Sequence, residues 1–429
     1  MGATTSSLGR PGIDSPMDHG LFVEDDERVI LNTSLDRLRE VMSRGDEPVS
    51  LERAGPRRRI FFDPSKLKAA VVTCGGLCPG LNNVIRSLVL TLVHSYGVHD
   101  IIGIRYGLQG FIPRYGHPAM ELTEASVSEI HELGGTILAS SRGRQSPSEI
   151  VDSLDRMNVG LLFMIGGDGT LRAAGTIVDE MDGRNEQIGV VVIPKTIDND
   201  INMVSRSFGF YTAVSMASQA IGSAHVEALG APNGVGLVKL MGRYSGFVAA
   251  SAALAKKHAN YVLIPESRFD MDGPHGLLEA LEKRLDKKKH AVIVVAEGAG
   301  QEYCGGTAKD DSGNPKLGDV GLYLKRRIID HFKSKRREMN LKYIDPSYLI
   351  RSVPPTAEDA VFCGFLAQNA VHSGMAGKTR LLIGLVNDEF VNIPVTRSVA
   401  QRKQVDPDGT LWRGVLEVTR QPSFRPPET

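Results

Sequence analysis

The stretch "KAAVVTCGGLCPGLNNVIRSLVLTLVHSY" (68–96) holds an apolar run, a glycine-rich turn and a helix-length segment in succession. Its first part, "KAAVVTC" (68–74), is apolar at alternate and intervening positions alike, the mark of a strand covered on both faces. Similar runs recur as "IIGIRY" (101–106), "GLLFMIG" (160–166), "IGVVVIP" (188–194), "VGLVKL" (235–240), "YVLIP" (261–265) and "AVIVVAE" (291–297). Helix-length segments separate them, such as "GFYTAVSMASQAIGSAHVEA" (209–228). Buried strands alternating with helices predict an α/β fold of parallel sheets covered on two sides. Ligands in such folds gather at the C-terminal ends of the strands. The glycine and acid motifs of this chain follow directly on those ends.

A chain of 429 residues exceeds what one core usually serves, so two lobes or one large α/β unit are expected. Lys+Arg and Asp+Glu are both 50, which argues against nucleic acid or an acidic membrane as the main partner. A small anionic substrate needs only local charge and stays compatible. Four cysteines, Cys74, Cys78, Cys304 and Cys363, make neither a disulfide framework nor a zinc set. They read as ordinary thiols, which fit the cytoplasm. No apolar run reaches membrane-spanning length, and the polar N-terminus has no signal-peptide core. "MGATTS" (1–6) matches the myristoylation pattern, but no basic patch behind it supplies a second anchor, so the match reads as chance. Residues 1–66 read as an N-terminal extension with one helical pattern, "TSLDRLREVM" (33–42). It closes on the basic "GPRRRIFFDP" (55–64), whose arginines fit a solvated face or a subunit contact better than a phosphate site.

Three motifs carry chemistry. In "CGGLCPGLN" (74–82) the glycines let backbone approach an anion at a helix N-terminus, although a plain tight turn fits nearly as well. The stretch is neither the dinucleotide fingerprint nor the P-loop. In "MIGGDGT" (164–170), Gly166, Gly167 and Gly169 leave the backbone open, and Asp168 can hold Mg²⁺ against nucleotide phosphates. In "PKTIDNDI" (194–201), Asp198 and Asp200 are two apart, which on extended chain aims both carboxylates the same way. One can take the proton of an attacking hydroxyl while the other orients it, and Lys195 can neutralise phosphate charge. An Asx-turn is the structural alternative, and the company of two glycine loops favours catalysis. Arginines recur beside glycine in "SSRGRQ" (140–145), with Arg142 and Arg144 around Gly143, and in "KLMGRYSG" (239–246), with Gly242 and Arg243. "PSYLIRSVPPT" (346–356) adds Tyr348 and Arg351.

Taken together, "CGGLCPGLN", "GGDGT", "PKTIDNDI", "LVKLMGRYSGF", "VVAEGAG" and "IDPSYLIRS" resemble the phosphofructokinases. The match runs in order from about residue 67 to about 395, and GGDGT followed by TIDND and MGR is highly specific. The resemblance implies Mg²⁺-assisted transfer of a phosphoryl group from ATP to the 1-hydroxyl of fructose 6-phosphate. It makes Asp198 the proton acceptor, Asp200 its support and Asp168 the Mg²⁺ carrier. Gly76, Arg142, Gly143 and Gly167 through Asp168 and Gly169 to Thr170 would hold ATP. Thr196, Ile197 and Asp198, Met241, Gly242 and Arg243, Glu297, and Tyr348, Leu349, Ile350 and Arg351 fall where the family binds the sugar phosphate. The chain departs from the short allosteric bacterial form by its extension, by Tyr348 in place of a histidine, and by Gly234 where that form offers an arginine to a neighbour. The cross-subunit phosphate clamp and the known effector site are therefore not carried over.

Donor choice rests on two positions that disagree. Pyrophosphate users of the family usually carry lysine at the position of Lys195, where short ATP users have glycine, and an aspartate at that of Gly169, which would crowd and repel the α-phosphate of ATP where glycine leaves room. A steric and charge block is harder to evade than a flexible lysine, so Gly169 decides for ATP, and pyrophosphate-dependent transfer is the alternative. An NAD kinase-like enzyme leaves "PKTIDNDI" and "KLMGRYSG" unexplained, and a non-catalytic regulatory subunit would be signalled by loss of Asp168, Asp198 or Arg243. The expected architecture is two doubly wound Rossmann-like lobes with the active site in the cleft between them. One lobe takes 67–208 with a returning segment 352–395, the other 209–351 with a tail 396–429. The family implies a homo-oligomer, dimer or tetramer.

Overall fold

The computed structural model describes residues 5–18, 21–306 and 316–424. Met1–Thr4 of the "MGATTS" stretch, residues 307–315 and the last residues 425–429 of the tail lie outside the described residues. The chain divides into two units: Met1–Thr196, Ile201–Gly209 and Ser352–Arg402 form unit 1, and Ile197–Asp200, Phe210–Arg351 and Lys403–Thr429 form unit 2.

Among the described residues, unit 1 is built on a nine-stranded mixed sheet. Its centre is parallel, in the order Leu381–Val386, Gly189–Pro194, Leu161–Gly166, Lys68–Thr73 and Asp100–Ile104. Antiparallel strands close both edges: Met120–Glu121 on one side, and Glu389–Pro394, Ser50–Arg53 and Arg28–Ile30 on the other. The central strands are buried residue by residue, as Leu161–Gly166 and Gly189–Pro194 illustrate, because helices including Leu81–Tyr96, Asp168–Arg184 and Ala357–Met375 cover the sheet. The strand-turn-helix at 68–96 forms as its sequence implies. Gly80 stands before the helix at φ 98°, where only glycine is unstrained, and a Cβ there would meet Cys363 Sγ at 2.6 Å.

The segment before Leu67 contributes Ser50–Arg53 and Arg28–Ile30 to this sheet and the expected helix, Leu35–Ser43. Its arginines divide. Arg58 and Arg59 are exposed, but Arg57 is only 5% accessible and faces Glu52, itself 4% accessible, at 3.2 Å. A solvated face therefore does not describe Arg57, which is a buried cation paired inside the unit.

Unit 2 carries a four-stranded, wholly parallel sheet in the order Tyr261–Leu263, His290–Ala296, Gly234–Leu240 and Asn340–Ile344. Two apolar clusters flank it. One comes from Phe210–Leu229, Phe247–Lys256 and Thr410–Thr419, and the other from Leu277–Lys288 and Val320–Ser334. All four cysteines are free thiols. Among the described residues no helix is long and apolar enough to cross a membrane.

Candidate active site

In unit 1 the loops that follow strands Lys68–Thr73 and Gly189–Pro194, together with the "SSRGRQ" loop, are joined by a few hydrogen bonds. Lys195 is only 7% accessible, and its Nζ donates to the Gly76 carbonyl at 2.5 Å. The lysine at the mouth of the buried strand therefore braces the "CGG" turn. The Gly75 N–H donates to Ser141 O at 3.2 Å, and Ser140 Oγ donates to Gly75 O at 2.7 Å, so the "SSRGRQ" loop is tied to the same turn. Arg142, Gly143 and Arg144 stand exposed on that loop.

"GGDGT" starts the helix Asp168–Arg184. Thr170 N and Leu171 N both donate to Gly167 O. A Cβ on Gly166 would sit 2.0 Å from Thr170 Oγ1, so that glycine and the buried Thr170 pack on each other. A Cβ on Gly169 would find no described atom within 4 Å. Asp168, at the helix N-terminus, pairs with Arg402, whose Nη2 lies 2.9 Å from its Oδ2.

Unit 2 holds the acids. Asp198 and Asp200 lie in the short segment Ile197–Asp200, beside Arg243 and Glu297 from the ends of two adjacent strands. Burial first, then the charges of Asp200 and Glu297, push the Asp198 carboxyl up to about 8. The backbone N–H and guanidinium of Arg243 pull the other way without cancelling it. Burial likewise raises Glu297, against the cations Arg243, Lys239 and Arg351. Close backbone packing fixes these loops: a Cβ on Gly298 would lie 2.0 Å from Arg243 O, and Gly242 sits at φ 134° with Ser245 O 2.5 Å from where its Cβ would be.

The remaining residues singled out from sequence differ in exposure. Thr196, whose carbonyl accepts from Ser207 Oγ at 2.6 Å, belongs to unit 1. Ile197 and Ile350 are buried side chains, which leaves them only backbone to offer a ligand. Met241 is half-buried, while Tyr348 is 74% accessible and Leu349 also exposed. The Arg351 guanidinium stacks over the Tyr348 ring, 4.8 Å from its centroid.

Sequence reading missed several residues. Ser245 is fully buried and its Oγ donates to Asp198 O at 2.9 Å. Lys239 bridges Asp345 at 2.8 Å and Asp319 at 3.2 Å, anchoring the start of the Tyr348–Arg351 loop. Both lie within the quoted motifs, where the polar residues beside "MGR" and "DPS" were a usable signal. Glu266 accepts from Gly246 N and Val405 N, tying the start of helix Phe247–Lys256 to the tail. Arg402 and Lys403 had no local signal. Lys403 N donates to Asp200 O at 2.9 Å, and burial lowers its ammonium to about 8 despite the Asp200 charge.

The phosphofructokinase family profile matches residues 68–373. An ATP-dependent 6-phosphofructokinase of Borreliella burgdorferi is 52% identical over 384 residues, which is 88% of this chain and 86% of that protein. One from Amycolatopsis methanolica is 45% identical over 432 residues, 97% of this chain and 94% of that protein. The crystal structure of a pyrophosphate-dependent phosphofructokinase from Marinobacter aquaeolei aligns with a TM-score of 0.67 over 84% of this chain and 94% of its own, at 18% identity, a likeness of fold alone. On this evidence the chain belongs to the phosphofructokinase family.

Proposed function

We infer that the chain is an ATP-dependent 6-phosphofructokinase, which transfers the terminal phosphoryl group of ATP to the 1-hydroxyl of fructose 6-phosphate and yields fructose 1,6-bisphosphate. The observation that carries the mechanism is Asp198, a carboxylate raised in proton affinity and set beside the Arg243 guanidinium. A base is most effective when its pKa lies near the working pH, and a cation beside it suits an anionic acceptor. In this reading Asp198 takes the hydroxyl proton, with Asp200 supporting it. Arg243, Glu297, Tyr348 and Arg351 hold the sugar phosphate, with backbone from Thr196, Ile197, Met241, Gly242, Leu349 and Ile350.

ATP is held by Gly76, Arg142, Gly143 and the Gly167–Thr170 turn, at a helix N-terminus that favours negative charge. Open space beside Gly169 supports a nucleotide in place of bare pyrophosphate. The donor set fits Mg²⁺: Asp168 offers one hard oxygen ligand, and such an ion takes its remaining ligands from phosphates and water. When bound, the ion neutralises charge developing on the transferred group. A cytoplasmic, allosterically regulated homo-oligomer, dimer or tetramer, completes the proposal, by family resemblance and, for the compartment, by the free thiols.

The test is fructose 1,6-bisphosphate formation from fructose 6-phosphate and Mg²⁺, with ATP and pyrophosphate supplied separately. Turnover with ATP alone is expected, and Asp198→Ala should lower kcat by about 10²- to 10⁴-fold. Lys195 favours a second reading, pyrophosphate as donor. Turnover with pyrophosphate alone would establish that reading and overturn the first. Turnover with neither would remove both.

A further inference from the structure

The segment "QRKQV" (401–405) lies some 200 residues beyond the acid motif, yet it is fastened to the machinery residue by residue. Within unit 1, Val399 O accepts from Arg172 Nη2 at 3.3 Å, which fixes the approach to the helix that Asp168 begins. Arg402 is then bridged antiparallel to Ile201, the residue directly after "TIDND". Its guanidinium reaches Asp168, 2.9 Å away, with the Asp168 side chain 17% accessible and that of Arg402 32%. Lys403, where unit 2 resumes, is bonded through its backbone to Asp200. Arg402 is thus held at two points of backbone and aimed at the one acid in the donor loop.

That acid is the one assigned to the metal, so the inference rests on the function proposed above. A guanidinium and a divalent cation repel each other at one carboxylate, and a bare cation must evict the arginine at the cost of that charge-assisted pair. A cation that arrives with a polyphosphate brings several anionic oxygens, and the guanidinium fork matches them in geometry and charge. We propose that Arg402 is a positioning residue that makes Asp168 selective for a divalent cation accompanied by a polyphosphate over the same cation alone. Arg402 holds Asp168 in the free chain, then yields it and takes phosphate as its new counter-charge.

The experiment titrates the full chain with Mn²⁺, read by electron paramagnetic resonance, first alone and then with a non-hydrolysable ATP analogue. Arg402→Met should bind bare Mn²⁺ about tenfold more tightly and the Mn²⁺–analogue complex about tenfold more weakly, the scale of one charge-assisted pair on each side. Arg402→Lys, which keeps the charge but not the fork, should stay near the wild type for bare Mn²⁺ and weaken the Mn²⁺–analogue complex by less than Arg402→Met, and Asp168→Asn should lose bare Mn²⁺ binding. A merely structural arginine predicts both affinities falling together. Bare Mn²⁺ affinity unchanged or weaker in Arg402→Met would overturn the proposal. Turnover is assayed on the same wild-type preparation. An inactive wild type removes the functional reading and this proposal with it; an active wild type without the opposed shifts removes this proposal alone.

Discussion

The buried hydroxyl of Ser245 donates to the main-chain carbonyl of Asp198 at 2.9 Å, joining the loop after "MGR" to the loop that carries the proposed base. Asp198 is therefore positioned by a group that makes no use of its carboxylate. Removing a buried donor leaves its acceptor unsatisfied and costs about 1–3 kcal/mol. Ser245→Ala should lower kcat about tenfold while the KM for ATP holds, because the displacement falls on the base and not on the donor loop. Steady-state kinetics with both substrates varied decide it, and an unchanged kcat would refute the positioning role.

The raised Asp198 carboxyl sets a pH dependence. The free chain must lose that proton before the residue can accept one, so kcat/KM should rise with pH through a limb well above the ordinary carboxylate range. The charge of Glu297 is among the causes of the shift. Glu297→Gln removes a negative neighbour, which lowers the Asp198 pKa and moves the limb to lower pH, whatever the loss in sugar-phosphate affinity. A pH–rate profile of the two proteins checks the direction. A limb moving upward, or not at all, would contradict it.

Donor choice can be tested at Gly169, where a side chain would meet no described atom within 4 Å. An aspartate there, in the first turn of the helix Asp168–Arg184, also complements the helix dipole. Gly169→Asp should leave the melting temperature unchanged or slightly raised. Its charge would face the α-phosphate, so the KM for ATP should rise by at least about tenfold while the KM for fructose 6-phosphate holds. If the KM for ATP does not change, Gly169 is not what selects the nucleotide.

The parallel core was legible because strands covered on both faces must be apolar throughout: each of the seven quoted runs holds a strand of one of the two sheets. Strands outside the parallel centre escaped. Ser50–Arg53 reads "SLER", polar at three of four positions, because its buried Glu52 is satisfied by Arg57 and Lys378 and not by apolar packing. The candidate residues were legible where glycine, acid and arginine crowd a strand end. Arg402 and Lys403 were not, since what makes them matter is Asp168 and Asp200, brought to them only by the tertiary fold. Arg57 failed differently, because a basic run shows charge but not which arginine has a buried partner.

That partner gives a stability prediction. Glu52 accepts from the Thr5 hydroxyl and pairs with Arg57 at 3.2 Å and Lys378 at 3.0 Å, with Asn392 Nδ2 3.4 Å away. Burial alone would raise its pKa, but the Thr5 hydrogen bond and the charges of Lys378 and Arg57 outweigh it and lower the value. Glu52→Gln leaves Arg57 with the exposed Asp25, 3.1 Å away, as its remaining carboxylate, and should cost at most about 3–5 kcal/mol in urea unfolding at neutral pH. A carboxyl lowered in the folded state contributes stability that is complete above its unfolded pKa, about 4.3, and lost as pH falls through the folded value. The gap between wild type and Glu52→Gln should therefore narrow in acid below that point. Equal urea midpoints at neutral pH would mean that the buried cluster is held by packing and not by this carboxylate.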